Sequence, residues 1–210
     1  MSHDETLLAF ADRIAAIELR DPLAELLGVL PANGTLRYTY MDAVKLCGHS
    51  CPTVAGAWLM ATAALAALYP GEVPVRGGVE VTVGGAADDG ASGPVAQVIG
   101  LLTGAAPDTG FGGLMGHHRR MHLLRFDKSL GKKVRFRRSE TRREVEVAYD
   151  PSTVPPAPEM MRLLVATLSG KASDAERQRF GELWQARVEA ILLGERSRVL
   201  TVTDTTPPKP

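Results

Sequence analysis

Apolar positions along the chain recur with two different periods. A helical period predicts helices over residues 4–18, 94–103, 159–168 and 174–193, and Asp21-Pro22 marks the start of a short one. Alternation of apolar and polar residues predicts strands over 35–40, 78–83, 122–126, 133–137 and 144–149, the last three as an antiparallel meander. The pattern predicts an α+β fold with a mixed or antiparallel sheet and C-terminal helices.

The segment from Pro52 to Tyr69 contains no charged residue and includes seven alanines. Its 18 residues reach only the lower limit for a membrane span, and basic flanks are missing. We therefore expect an Ala-rich helix buried at the centre of the fold rather than a membrane helix. Pro52 suits the first helical position, which makes Cys51 the expected N-cap residue.

A proline-rich stretch at 150–158 suggests how the chain is divided. We predict an α+β core with an N-terminal helix over 1–150, a linker and helical segment over 151–203, and a disordered tail over 204–210. The second C-terminal helix should begin with a capping box formed by Ser173 and Glu176.

The amino-acid composition argues against several classes of protein. Lys plus Arg and Asp plus Glu are both 24, so a net charge of zero does not predict a polyanion partner. Two cysteines are too few for a disulfide-rich scaffold or a four-cysteine zinc ribbon. The N-terminal residues do not resemble a signal peptide, so we expect a cytoplasmic protein.

Both cysteines fall within five residues, in the run Cys47-Gly48-His49-Ser50-Cys51. A thiol at a helix N-cap faces free N–H groups and the positive end of the helix dipole, which favour thiolate. If an extended lead-in turns at Gly48, the side chains of Cys47, His49 and Cys51 could converge on a zinc, iron or copper ion. A redox-active or purely structural thiol pair is the alternative.

This motif resembles the signature of the FmdE family, which comprises the FmdE component of formylmethanofuran dehydrogenase and its relatives. In that family a His-Gly-His-x-Cys-Pro run leads into an Ala- and Gly-rich helix. A second block of the family is similar to Ala91-Ser92-Gly93 followed by Leu102-Thr103-Gly104. The resemblance implies an α+β core, often dimeric, with metal at the His-x-Cys pair. Here Cys47 and Ser92 replace family His and Cys residues, and the C-terminal zinc finger of some members is missing.

A glycine-rich region supplies further candidate ligands in His117, His118 and His122. His118 and His122 are four residues apart, a spacing that pairs ligands on a helix, although the following run favours a strand. A solvated patch of basic side chains is the alternative interpretation for these histidines.

Positive charge concentrates between residues 119 and 143, where the local balance is +9 against −9 elsewhere. Lys133, Arg135 and Arg137 should form one face of a strand. This face could bind nucleic acid or another anion, but aromatic residues do not interleave with the charges, so we do not expect nucleic acid. Charge complementarity and the family resemblance both predict a homodimer.

Taken together, these features predict a metal-binding, FmdE-like protein with an accessory, redox or hydrolytic role. Zinc is the expected metal, bound by Cys47, His49 and Cys51. A small-molecule or cofactor ligand is expected to contact a second, overlapping set of residues: His49, Cys51, His117, His118 and His122. Haem at the same residues is the first alternative, and an anion- or nucleic-acid-binding module on the basic 119–143 face is the second. The sequence leaves open whether the protein is an enzyme.

Overall fold

The computed structural model describes residues 8–208 and shows an α+β fold with two sheets. Strands β1 and β2 form a small antiparallel sheet, and the other five are ordered β4-β3-β5-β6-β7. The strands span Ile17–Arg20 (β1), Thr35–Tyr38 (β2), Val79–Gly84 (β3), Leu124–Asp127 (β4), Lys133–Arg138 (β5), Glu144–Tyr149 (β6) and Leu200–Asp204 (β7).

Six α-helices lie within the described residues, and local capping explains where two of them begin. They span Pro22–Leu26 (α1), Tyr40–Cys47 (α2), Pro52–Leu68 (α3), Ser92–Thr103 (α4), Met160–Leu168 (α5) and Asp174–Leu193 (α6). The Asp21 carboxylate caps α1 by accepting from the Leu23 N–H, and the predicted capping box of Ser173 and Glu176 opens α6.

Helix α3 forms the centre of the core, as its lack of charge predicted. It packs against α2, α4 and α6 and against strands of the larger sheet. Trp58, Leu65 and Leu68 on this helix are at most 1% exposed. Across residues 8–208, every helix falls short of the length and apolarity that a membrane span requires.

The predicted N-terminal helix over 4–18 is wrong for the residues that the structure describes, and 4–7 lie outside them. A short 3-10 turn at Ala11–Arg13 is followed by β1, which pairs with β2. Leu19 is fully buried. Leu8, Ala11 and Ile14, whose spacing suggested the helix, are buried in the core around this turn, and the pairing of β1 with β2 begins only at Ile17. Contacts with the rest of the core therefore override the local helical spacing.

The predicted three-strand meander is also wrong in part. Strands β5 and β6 do form an antiparallel pair, but β4 lies beside β3 and runs parallel to it. Strand β7 pairs with β6, so the C-terminal segment contributes a strand as well as helices. Beyond β7, the Thr205 N–H donates to the Glu144 carbonyl at 3.0 Å, so the predicted tail begins with ordered contacts.

Candidate metal-binding turn

The segment Cys47–Cys51 is the tight connection between α2 and α3. Cys47 is the last residue of α2, so this part is helical rather than extended as predicted. Gly48 ends the helix with φ 73°, a left-handed conformation that glycine adopts without strain. The backbone therefore turns at Gly48, and the two cysteines lie at the two ends of one short loop.

Cys51 is the N-cap residue of α3, and Pro52 occupies the first helical position as predicted. The Cys51 Sγ accepts a hydrogen bond from the Val54 N–H at 3.5 Å. The side chain is half-buried, and both Cys47 and Cys51 are free thiols. The geometry directs the sulfur toward the positive end of a 17-residue helix.

His49 lies between the cysteines and is exposed to solvent. Its Nδ1 is 2.9 Å from the Cys47 carbonyl oxygen, and as the donor it holds the imidazole in the Nδ1–H tautomer. Within residues 8–208, no hydrogen bond to His49 Nε2 is formed. One ring nitrogen is therefore fixed by the backbone and the other is open to a ligand, an arrangement typical of metal-binding histidines.

Cys47 differs from Cys51 in its environment. Burial raises the pKa of the Cys47 thiol, and the neighbouring Cys51 raises that pKa further. Cys47 therefore favours the protonated thiol at neutral pH. It would become a metal ligand only by releasing its proton to solvent when the ion binds.

The three donors are close along the chain but are not assembled around a common point. Over the described range 8–208, His, Cys, Asp and Glu side chains form no group of three or more that could hold a metal ion. The donor types fit zinc, yet an ion would have to draw the side chains together.

Contacts from α2 and α6 hold the centre of the turn. The buried Ser50 hydroxyl lies 3.0 Å from the Tyr40 hydroxyl, and the Ser50 carbonyl accepts from Trp184 Nε1 at 3.0 Å and from Gln185 at 3.2 Å. The sequence pattern of the predicted 174–193 helix gave no reason to connect it with this turn.

A cavity of about 490 Å³ lies next to the first turn of α3. Thr53 of α3, Ser92 of α4 and Tyr149 of β6 contribute to its lining, with Lys132 and Lys133 on another side. The cavity therefore brings Thr53, the residue after the Cys47–Pro52 run, close to Ala91 and Ser92, although Cys47, His49 and Cys51 do not line it.

The loop histidines are not arranged as predicted for a helical pair. His118 and His122 both have positive φ angles, 56° and 64°, so the segment is a series of turns. His122 Nδ1 contacts the Asp108 carboxylate at 2.9 Å, and the rings of His117 and His118 lie 6.5 Å apart. His118 and His122 therefore do not pair on one face of a helix, because the glycine-rich backbone breaks regular structure there.

The predicted basic strand face is present, but the same sheet supplies acidic partners. Arg135 contacts Glu146 at 2.7 Å and Glu144 at 3.4 Å, and Lys133 contacts Glu146 at 3.0 Å. Arg137 pairs with Glu80. These cross-strand ion pairs reduce the positive charge available to a polyanion, so the charge count of a continuous segment overstated the charge of the surface.

No protein-family model and no curated protein matches this chain. Among solved structures, the chain is similar to a tungsten formylmethanofuran dehydrogenase FmdE-like protein from Syntrophus aciditrophicus. The two are 16% identical, the match covers 81% of this chain and 74% of the other, and the TM-score is 0.43. Membership of the FmdE family thus stays a hypothesis that rests on the motifs quoted above.

Proposed function

We propose that the protein binds a transition metal, with zinc as the expected ion, at Cys47, His49 and Cys51. The observation that carries this proposal is the state of His49, whose Nδ1 is held by the Cys47 carbonyl while its Nε2 has no hydrogen bond within residues 8–208. Metal-binding histidines commonly use one nitrogen for such a backbone contact and the other for the ion.

The donor set supports zinc over harder ions. Two sulfurs and one imidazole nitrogen are borderline-soft ligands, which magnesium and calcium do not prefer. Three protein ligands leave the fourth tetrahedral position for water or a substrate atom. When bound, the ion would act as a Lewis acid at that open position, while the Val54 N–H donates a hydrogen bond to the Cys51 sulfur.

Binding would require a local rearrangement that the turn permits. The His49 ring would keep the hydrogen bond from Nδ1 to the Cys47 carbonyl, and the Cys47 and Cys51 side chains would turn toward its Nε2. Ser50, held by Tyr40 and Trp184, would remain fixed while the side chains on either side close on the ion. Both thiols must stay reduced, which the expected cytoplasmic location would provide.

Cobalt(II) titration of the reduced protein tests this proposal directly. Thiolate-bound cobalt gives a sulfur-to-metal charge-transfer band, and tetrahedral coordination gives intense visible bands. We expect Cys51→Ser to lose most of the signal because a hydroxyl is a harder and less acidic donor. His49→Ala should weaken binding, and Cys47→Ser should do so to the same degree only if Cys47 binds the ion.

His122→Ala is the matched control, since this exposed histidine lies outside the turn and contacts Asp108. It should leave the cobalt spectrum unchanged. Full metal occupancy in a Cys51→Ser/His49→Ala double variant, after chelation and reloading, would place the site elsewhere. The absorbance spectrum also separates the haem alternative, because haem bound at these residues gives a strong Soret band that zinc lacks.

A further inference from the structure

Asp21, Arg76 and Arg120 form a buried ion cluster away from the Cys47–Cys51 turn. One oxygen of the Asp21 carboxylate accepts from Arg76 Nη1 at 2.6 Å and the other from Arg120 Nη2 at 2.6 Å. The Asp21 side chain is only 5% exposed, and that of Arg120 is 10% exposed. These contacts join the cap of α1 to segments 55 and 99 residues later in the chain.

The cluster carries more positive than negative charge. Asp21 also caps α1 through the N–H groups of Leu23 and Ala24, so its carboxylate already accepts four hydrogen bonds. Within residues 8–208, Arg76 and Arg120 pair with no other acidic side chain. Two guanidinium groups therefore share one carboxylate, and a buried charge without a counterion is costly.

Arg120 is the more buried of the two arginines, with 10% of its side chain exposed against 18% for Arg76. Its Nη1 is buried and has no hydrogen-bond partner within the described part of the chain. Gly77 and Gly104 make room for the guanidinium, because a Cβ at either position would overlap Nη1. Burial lowers the pKa of Arg120, and the Asp21 charge opposes this shift. Nη1 is thus enclosed by the two glycines, and the charge of Arg120 is offset by Asp21, which Arg120 shares with Arg76.

Both arginines line a cavity of about 570 Å³ between α4 and the glycine-rich segment that follows it. The other walls are mostly apolar or small, and they include Ala96, Gly100, Pro107, Phe111 and Phe126. This volume lies in the range of pockets that hold small organic molecules, roughly 300–1,000 Å³. The cavity thus combines a cationic end with an apolar body.

We propose that this cavity binds an amphipathic organic monocarboxylate. The carboxylate would contact the guanidinium groups of Arg120 and Arg76 by charge-assisted hydrogen bonds, and its hydrocarbon part would lie against Phe111 and Phe126. A single excess positive charge matches a monoanion better than a doubly charged phosphate. The apolar walls favour a hydrocarbon body over a bare inorganic ion.

Isothermal titration of the whole protein with hexanoate, hexanamide and inorganic phosphate tests the proposal. We expect hexanoate to bind and hexanamide to bind at least about tenfold more weakly, because the amide lacks the charge that satisfies Arg120. Equal binding of acid and amide would mean that only an apolar cavity is present and would overturn the proposal. Binding of phosphate without hexanoate, or of neither, would also overturn it.

Arg120→Met should weaken hexanoate binding at least about tenfold while preserving the fold, since Asp21 keeps Arg76 as its partner. Arg125→Met is the matched control, because this exposed arginine of β4 pairs with Glu80 outside the cavity.

Should Arg120→Met fail to fold, Phe111→Glu provides a second test. Phe111 is 43% exposed, so the fold should tolerate the change while the added charge repels the carboxylate. Unchanged hexanoate affinity in either variant contradicts the assignment.

Discussion

Tyr149 donates a hydrogen bond from its hydroxyl to the Pro52 carbonyl at 2.8 Å and so ties β6 to the first turn of α3. Burial raises the pKa of Tyr149 above its usual value, which keeps the hydroxyl protonated as a donor. The ring fits against α3 because residue 56 is glycine, where a Cβ would overlap the Tyr149 ring. Gly56 thus leaves the space in which Tyr149 can tie the start of α3, next to the candidate metal-binding turn, to the sheet.

Gly56→Ala should displace the Tyr149 ring and destabilise the protein. Alanine favours a helix over glycine by up to about 1 kcal/mol, but overpacking a tight contact costs about 1–3 kcal/mol. We expect a net loss in the free energy of unfolding, measured by urea denaturation. Gly181→Ala in α6 is the control, since its Cβ would meet no atom within 4 Å and the change should stabilise by up to about 1 kcal/mol.

Some features of the fold depend only on local patterns and were predictable from them. The burial of α3 followed from its lack of charge, and the caps at Asp21, Cys51 and Ser173 followed from residues adjacent to each helix. These features depend on neighbours within a few positions. Local sequence therefore located the start of α3 and the candidate donors before it, but it missed α2, where an extended lead-in was predicted.

Features decided by distant contacts were not predictable in this way. Leu8, Ala11 and Ile14, whose spacing suggested a helix, are instead buried around a 3-10 turn, and β1 follows them because β2 offers a partner strand. Strand β4 has the same alternation as its neighbours along the chain, yet it pairs with β3. The Asp21 cluster joins three segments far apart in sequence, so reasoning from spacing recognised Asp21 only as a helix cap.

The stability of the larger sheet should depend on pH through Glu146. Hydrogen bonds from Arg135 and Lys133 lower the pKa of this carboxyl below its unfolded value, near 4.3. A lowered folded-state pKa contributes stability that is present above the unfolded pKa and is lost as pH falls through the folded one. Glu146→Gln should therefore flatten the loss of stability below about pH 5.

Urea unfolding at a series of pH values between neutral and acidic measures this effect. Arg135→Met removes the main cause of the shift, so it should flatten the acid limb in the same direction. A wild-type slope retained in both variants would contradict the assignment to this cross-strand pair.

A homodimer remains the expected state in solution, and α5 offers a surface for it. Met161, Val165 and Leu168 are 68%, 59% and 79% exposed and recur at helical spacing. The expected charge complementarity between protomers is a weaker reason, because much of the basic strand face is paired within the chain. Light scattering should give a dimer mass for the wild type.

Val165→Lys together with Leu168→Lys should shift the protein toward monomer if α5 forms the contact. Met115→Lys is the control, since Met115 is 99% exposed on the glycine-rich segment rather than on a continuous stripe. A monomeric wild-type protein at working concentration would contradict the dimer prediction, whatever the variants show.

Asp21→Asn should be among the most destabilising single changes outside the hydrophobic core. The asparagine keeps the shape of the side chain and can still cap α1, but it leaves Arg76 and Arg120 without their shared carboxylate. Removing one partner of a buried ion pair typically costs about 3–5 kcal/mol. Glu159→Gln is the control, since it breaks an exposed pair with Arg179 and should cost no more than about 1 kcal/mol.

In an Asp21→Asn/Arg120→Met double variant, one uncompensated charge is removed with the carboxylate, so part of the lost free energy of unfolding should return. Strictly additive losses, measured by urea denaturation of the four proteins of this cycle, would show that the charge imbalance at Arg120 does not contribute to the cost.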